Sequence, residues 1–343
     1  MKTVGIPRGL FYYYYYPLWK TFFAGLGARV VVSPVTNRRI VDDGILTAVD
    51  EACLPVKVYY GHVKELCRQG VDFIFAPRLV SVEQRCYICP KFMGIPDMLR
   101  AQVPGLPPLI DIKIDVTRGE RDLKRNMYQV GALFGCTRKA VDDAYRAGAE
   151  EMKRFHSIAR SGHPLNDAIE LWEKGNRHTG YPACSPATGT GVAGGSQETA
   201  AGCSASLTVG VLGHGYSVYD PVISMDLVKR LREMGCKVVT PEMLDPQEVE
   251  NQASTLPKRM FWSLGKKMIG SGLWMEQEAS IDGVIYLACF GCGPDSLVGE
   301  IVERRVSHTP FMLLTVDEHT GEAGIVTRLE AFCDMITRRR RLA

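Results

Sequence analysis

Two short motifs set the chemistry open to this chain: Cys86-Tyr87-Ile88-Cys89-Pro90-Lys91 and Cys289-Phe290-Gly291-Cys292-Gly293-Pro294-Asp295. Thiols two residues apart can grip one metal centre, and two such pairs supply four thiolates, the donor set of tetrahedral zinc or of an iron–sulfur cubane. A fifth cysteine, Cys53 in Ala52-Cys53-Leu54-Pro55-Val56-Lys57, lies in a turn stiffened by proline, ahead of a helical pattern through His62 and Leu66. Zinc ribbons close on themselves within small modules, whereas these pairs lie far apart in sequence on halves with cores of their own. An iron–sulfur centre is therefore the favoured reading, with zinc, a thiol redox pair and unliganded buried cysteine as alternatives. Lys57, Lys91 and His62 flank the cysteines and could offset the negative charge of a thiolate-bound cluster or meet an anionic substrate; plain solvated side chains are the equal alternative. Glu318 and His319 follow Asp317 at the end of an apolar run and are candidate proton donors. The plainer alternative there is turn hydrogen bonding at a helix start, Thr320-Gly321-Glu322.

The elements that must position these residues come from an internal repeat. Thr3-Val4-Gly5-Ile6-Pro7-Arg8-Gly9 and Thr208-Val209-Gly210-Val211-Leu212-Gly213-His214-Gly215 each run a short apolar strand into a Gly-containing turn. A helical pattern follows each, then Gly27 to Pro34 in one half and Gly235 to Pro241 in the other. The runs 71–77 and 281–287, and 108–115 and 310–317, extend the correspondence to four strands per half. Strand, helix, glycine, strand is the grammar of right-handed βαβ units, and continuous apolar strands mean parallel sheets covered on both faces. The predicted fold is α/β: two doubly wound, Rossmann- or flavodoxin-like lobes spanning 1–120 and 207–343, with a helical segment and flexible Gly/Ala/Ser-rich linker over 121–206. Ligands of such sheets bind beyond the carboxyl ends of the strands, and both cysteine pairs follow equivalent strands there. Gly189-x-Gly191-x-x-Gly194 has the spacing of a dinucleotide fingerprint, but no strand precedes it, so it reads as linker.

Composition narrows the class. The chain has 343 residues, 46% hydrophobic and 23% charged, with a net charge of +3, which excludes global disorder and gives no basic stripe for nucleic acid. The arginines of Thr337–Arg341 read as a solvated helix end. No apolar run is long enough to cross a membrane and the N-terminus reads as a strand without a signal core, so a cytoplasmic protein is expected. Eleven cysteines in such a chain are not a complete disulfide framework. The aromatic run Tyr12–Tyr16 is expected in the core or at the lobe interface.

Gly5-Ile6-Pro7-Arg8, Cys53-Leu54-Pro55-Val56-Lys57 with Gly61-His62, Cys89-Pro90-Lys91, Phe290-Gly291-Cys292-Gly293-Pro294-Asp295-Ser296 and Asp317 to Gly324 together resemble the acyl-CoA dehydratase activase-related proteins. These are relatives of the cluster-carrying component of 2-hydroxyacyl-CoA dehydratases and of the double-cubane cluster proteins. The resemblance implies a 4Fe-4S centre, reduced by a separate ATP-hydrolysing activator and reducing a small substrate in the cleft between the lobes. Its cysteine pattern carries over to Cys53, Cys89 and Cys292; Cys86 and Cys289 are additions. Three cysteines suit one cubane, whereas six could hold a double-cubane 8Fe-9S cluster, with Cys136 and Cys184 as candidates for the sixth. Relatives pair subunits, which implies a homodimer. The resemblance leaves open whether the chain is a dehydratase- or reductase-type enzyme component, a non-catalytic cluster-binding, assembly or redox-sensing protein, or a zinc-stabilised scaffold.

Overall fold

The computed structural model describes residues 1–117, 119–176 and 206–342; Cys184 and the glycine-rich run 185–196 lie outside them. The first half runs β1 (Thr3–Ile6), α1 (Tyr12–Gly25), β2 (Arg29–Val32), α2 (Arg38–Ile45), α3 (Leu54–Arg68), β3 (Phe73–Phe75), β4 (Arg78–Ser81), α4 (Lys91–Gln102), β5 (Leu109–Ile110) and β6 (Lys113–Asp115). Helices α5 (Arg121–Leu133), α6 (Arg138–Arg160) and α7 (Leu165–Asn176) follow. The second half runs β7 (Thr208–Gly213), α8 (Gly215–Val218), α9 (Leu227–Glu233), β8 (Lys237–Val239), α10 (Pro246–Ala253), α11 (Ser263–Gln277), β9 (Gly283–Cys289), α12 (Gly293–Arg305), β10 (Phe311–Val316) and α13 (Glu322–Leu342).

The duplication is visible in the topology. One parallel sheet has the order β2-β1-β3-β5 and the other β8-β7-β9-β10, the same arrangement with the same strand roles, so the doubly wound expectation holds for both lobes. In the first lobe β3 and β5 are broken after Ala76 and Ile110 and resume as the parallel pair β4-β6, with Arg78 donating its N–H to Ile112. That extension carries the chain out to the first cysteine pair.

The aromatic run of α1 is buried on nearly every side, as a helix apolar all round must be. Its tyrosines meet the second lobe: the Gly215 N–H donates to the Tyr14 hydroxyl at 2.6 Å, and Tyr13 donates to Asp220 at 3.3 Å. The stripe is thus both core and lobe interface. Helices α6 and α7 cover its other side, where Gly148 lets α6 approach the Leu18 carbonyl and Glu173 accepts from Tyr16 and Lys20. No helix among the described residues is long and apolar enough to cross a membrane.

Candidate functional site

Three cysteines stand at helix starts. Cys53 is the N-cap of α3, its carbonyl accepting from Val56 and Lys57, with Pro55 in the first turn. Cys89 precedes Pro90 and α4, its carbonyl accepting from Phe92 at 3.0 Å. Cys292 is the N-cap of α12, its carbonyl accepting from Ser296 at 3.0 Å. The turn that brings Cys292 back beneath Cys289 is closed by the Cys292 N–H on the Cys289 carbonyl and passes through Gly291 at φ 73°, where a side chain would be strained. Each helix start offers unpaired N–H groups and the positive end of a dipole, so the three together favour negative charge.

The thiols share one electrostatic neighbourhood across the lobes. Burial pushes Cys53 up while Lys91 pulls it down, and a charge on Cys89 raises it further. Burial raises Cys289 and Cys292 well above the usual thiol range, and both are pushed up again by Asp295 and by charge on Cys53. Charge on Cys89 is thus felt at Cys53, and charge on Cys53 of the first lobe at Cys289 and Cys292 of the second. All are free thiols. Cys86 is fully buried and has a different neighbour, Arg259, whose Nη2 lies 3.8 Å from its sulfur. Cys136 sits behind α1, 3.6 Å from the Leu26 carbonyl.

The flanking residues divide. Lys57, 5% exposed, reaches across the lobes to Glu318 at 2.5 Å; against the upward push of burial, that ammonium holds the carboxyl below its usual range. Lys91 donates to the Glu51 carbonyl at 3.2 Å and is the cation nearest in effect to Cys53. His319 is exposed, its N–H given to Asp317, and Asp317 and Thr320 tie the turn that leads into α13. His62 is wholly buried between Ser33 and Thr36, 3.0 Å from each. Thr36 gives its hydroxyl proton to Asp220, so it accepts from Nε2 of His62, and Nδ1 accepts from Ser33. Neither ring nitrogen is left for a ligand.

Sequence reasoning missed the polar groups behind the second-lobe thiols. His214, the residue after β7, is buried, stacked on Tyr216 with ring centroids 4.9 Å apart, and its Nδ1 lies 3.0 Å from Asp295. Nδ1 makes no in-line hydrogen bond, and the Asp295 carboxylate is its ionic neighbour. Asp295 does not cap α12: one oxygen accepts from the Tyr286 hydroxyl at 3.1 Å and the other from the Cys289 N–H at 3.4 Å. Donor atoms of His214, Cys292 and Asp295 all lie within 4.8 Å of one another. The signal for His214 was its place directly after β7, in the Gly-containing turn at the carboxyl end of a strand.

Beyond the carboxyl ends of the first sheet lies a cavity of about 180 Å³ lined by Pro7, Phe11, Tyr15, Tyr59, Leu79 and Phe92 among others. Tyr59 lies on α3 and Phe92 on α4, the helices that start at Cys53 and Cys89, and Phe92 also packs on Tyr216, 5.8 Å between rings. The cavity and the thiols therefore lie on two sides of one aromatic wall.

A family model described as CoA enzyme activase uncharacterised domain matches residues 3–244, a span that includes Cys53 and Cys89 and stops short of Cys289 and Cys292. No curated protein matches the chain.

Proposed function

Because the chain belongs to the CoA enzyme activase-related family, we propose that it is an iron–sulfur protein that takes low-potential electrons from a separate ATP-hydrolysing partner and passes them to a small substrate. The observation that carries this reading is that thiols from opposite halves of a duplicated chain stand at three helix N-termini and feel one another's charge. The donor set fits the group: the Cys53, Cys289 and Cys292 thiols, which burial keeps protonated by themselves, become ligands once a cationic centre pays their desolvation. Bound there, such a centre supplies one-electron chemistry at low potential, tuned by hydrogen bonds and exposure.

The chain's own residues do the rest. Cys53, Cys89 and Cys292, with Cys289, would hold the centre, and the helix starts and Lys91 balance its negative charge. Lys57 and Glu318 tie the second lobe to α3 and so keep Cys53 in register with Cys292. Half-buried Cys89 marks the open side, where Tyr87 and Phe290 expose apolar surface to a docking protein. The apolar cavity has room for a ring-sized group, which points to a substrate with an apolar body held next to the aromatic wall.

Anaerobic reconstitution with ferrous iron and sulfide, followed by iron, sulfide and zinc analysis, tests the reading. Iron and sulfide in comparable amounts with a thiolate-to-iron absorption band support it, as does reduction that requires an ATP-dependent activator. Zinc without sulfide replaces it by a scaffold reading, which the His214, Cys292 and Asp295 donor set favours.

A further inference from the structure

The second lobe holds a buried imidazole that the fold does not otherwise use. His214 is 4% exposed and begins the short α8, where its backbone sits in an extended conformation at the end of β7. Tyr216 lies nearly parallel to its ring, at an interplanar angle of 16°, and fixes the ring plane. Nδ1 is enclosed without a hydrogen bond although the Asp295 carboxylate is 3.0 Å away. A buried imidazole whose Nδ1 has only an out-of-line carboxylate for a neighbour is incompletely satisfied, which leaves the ring free to pair with something else.

The neighbours indicate what that something is. The carboxylate beside the ring is itself held by Tyr286 and by the Cys289 N–H, so it is a fixed anion. The Cys292 sulfur falls within the same 4.8 Å group as donor atoms of His214 and Asp295. Ligand atoms at about 2.0–2.3 Å from one metal stand roughly 3.3–3.8 Å apart in a tetrahedral shell, so small side-chain shifts place His214 and Cys292 on one ion. Past the end of β1 in the first lobe, Arg8 gives its backbone N–H and Nε to Ser33, and a guanidinium has no lone pair to offer a metal.

We propose that His214 is a nitrogen ligand to the metal centre, sharing one metal with Cys292, and that Asp295 is the positioning residue that holds its ring. This inference rests on the reading of the thiol cluster as a metal site, and it replaces an all-sulfur shell by a mixed one. A histidine in place of a thiolate makes the shell less negative and moves a reduction potential upward, as histidine does where it replaces cysteine in other clusters.

X-ray absorption at the edge of whichever metal the reconstituted full chain binds separates the possibilities. The expected result is a light scatterer at about 2.0–2.1 Å with the outer-shell pattern of imidazole, present in the wild type, retained in His308→Ala and lost in His214→Ala. His214→Cys, which restores a donor, keeps the metal but gives an all-sulfur shell, so a folding failure of the alanine variant does not hide the answer. Asp295→Asn weakens the imidazole pattern without removing the sulfur shell. Iron and sulfide bound in an all-sulfur wild-type shell overturns the His214 assignment and leaves the cluster reading standing. Zinc with the imidazole pattern overturns the cluster reading and keeps His214 as a ligand. Wild-type protein that binds no metal overturns both.

Discussion

Each lobe buries a histidine near the carboxyl end of its sheet, and the two are treated in opposite ways. His62 has both nitrogens occupied, by Ser33 and Thr36, in a chain of hydroxyls that ends on Asp220 of the other lobe. His214 has a nitrogen without a hydrogen bond, beside a carboxylate and a thiol. The sheets they serve have the same strand order. What lies beyond the strands differs: an aromatic cavity in the first lobe, and polar groups with two thiols in the second. Duplication repeated the frame, and side-chain changes at the strand ends divided the labour, one lobe suited to an apolar body and the other to a charged centre.

The largest effect expected from breaking that division is on metal content. Cys89→Ala and Cys292→Ala, one from each lobe, are each expected to lose most of the reconstituted iron. Cys236→Ala and Cys333→Ala are expected to keep it, because that pair lies 3.8 Å apart between β8 and α13, among none of the residues of the thiol cluster. Iron and sulfide per chain after anaerobic desalting is the measurement, and equal loss in all four variants would remove the assignment.

Much of this frame was legible before the structure. Strands announce themselves by apolar runs such as Val30-Val31-Val32 and Val284-Ile285-Tyr286, and the repeat aligns them without further help. Gly293-Pro294 wrote the helix start after Cys292, whereas Leu54-Pro55-Val56-Lys57, which reads as a stiff turn, is already the first turn of α3, because proline in the first helical turn is pre-set for the helix. What the residues alone do not announce is direction. Cys86 and Cys89 belong to one motif, yet the first lies beside Arg259 and the second lends its charge to Cys53, while the chain between them pairs Tyr87 with Trp262 of the other lobe. His62 sits in a motif beside Cys53 but is turned inward, and Asp295, which reads as a helix cap, serves Tyr286 and Cys289 instead. Side-chain direction across a lobe interface is long-range information that no local pattern carries.

Smaller effects sharpen the comparison between lobes by testing how α3 is held. Gly44 and Gly61 let α2 and α3 touch backbone to backbone; a Cβ at Gly61 would meet the Ile40 carbonyl oxygen at 1.8 Å. Gly61→Ala is expected to cost about 3 kcal/mol in urea unfolding, at the upper end for overpacking. Gly293→Ala at the start of α12, with nothing within 4 Å of the new methyl, is expected to change stability by less than about 0.5 kcal/mol. A similar cost at both sites would mean that α3 is not the rigid arm supposed here. Lys57→Met comes next. It leaves Glu318 partly buried without its ammonium, at an expected cost of about 1–3 kcal/mol, below that of a fully buried pair because the carboxylate keeps contact with water. Adding Glu318→Gln should recover part of that cost, and a double variant no better than the single one would deny the pair any coupling.

A further test concerns His62, and acts through pH. Burial, reinforced by the Arg8 guanidinium, holds its pKa down to about 3, against about 6.5 when unfolded. Asp220, reached through Thr36, is itself pushed up by burial, against the hydrogen bonds it accepts from Thr36, Val222 and Ile223. Between those two values the unfolded chain binds the extra proton and the folded one does not. The stabilisation from keeping this ring neutral is therefore complete above about pH 6.5 and is lost as pH falls towards 3, at about 1.4 kcal/mol per pH unit where the difference in proton binding is full. His156 is also depressed by burial and adds its own slope, so the test is a difference. His62→Gln keeps a polar group between Ser33 and Thr36 but cannot titrate, and its stability between pH 6.5 and 4.5 should fall less steeply than that of the wild type by about that amount per unit. Parallel curves would mean that His62 takes up its proton in the folded protein as readily as in the unfolded one, and the contrast between a sealed histidine in one lobe and an available one in the other would fail at its simpler end.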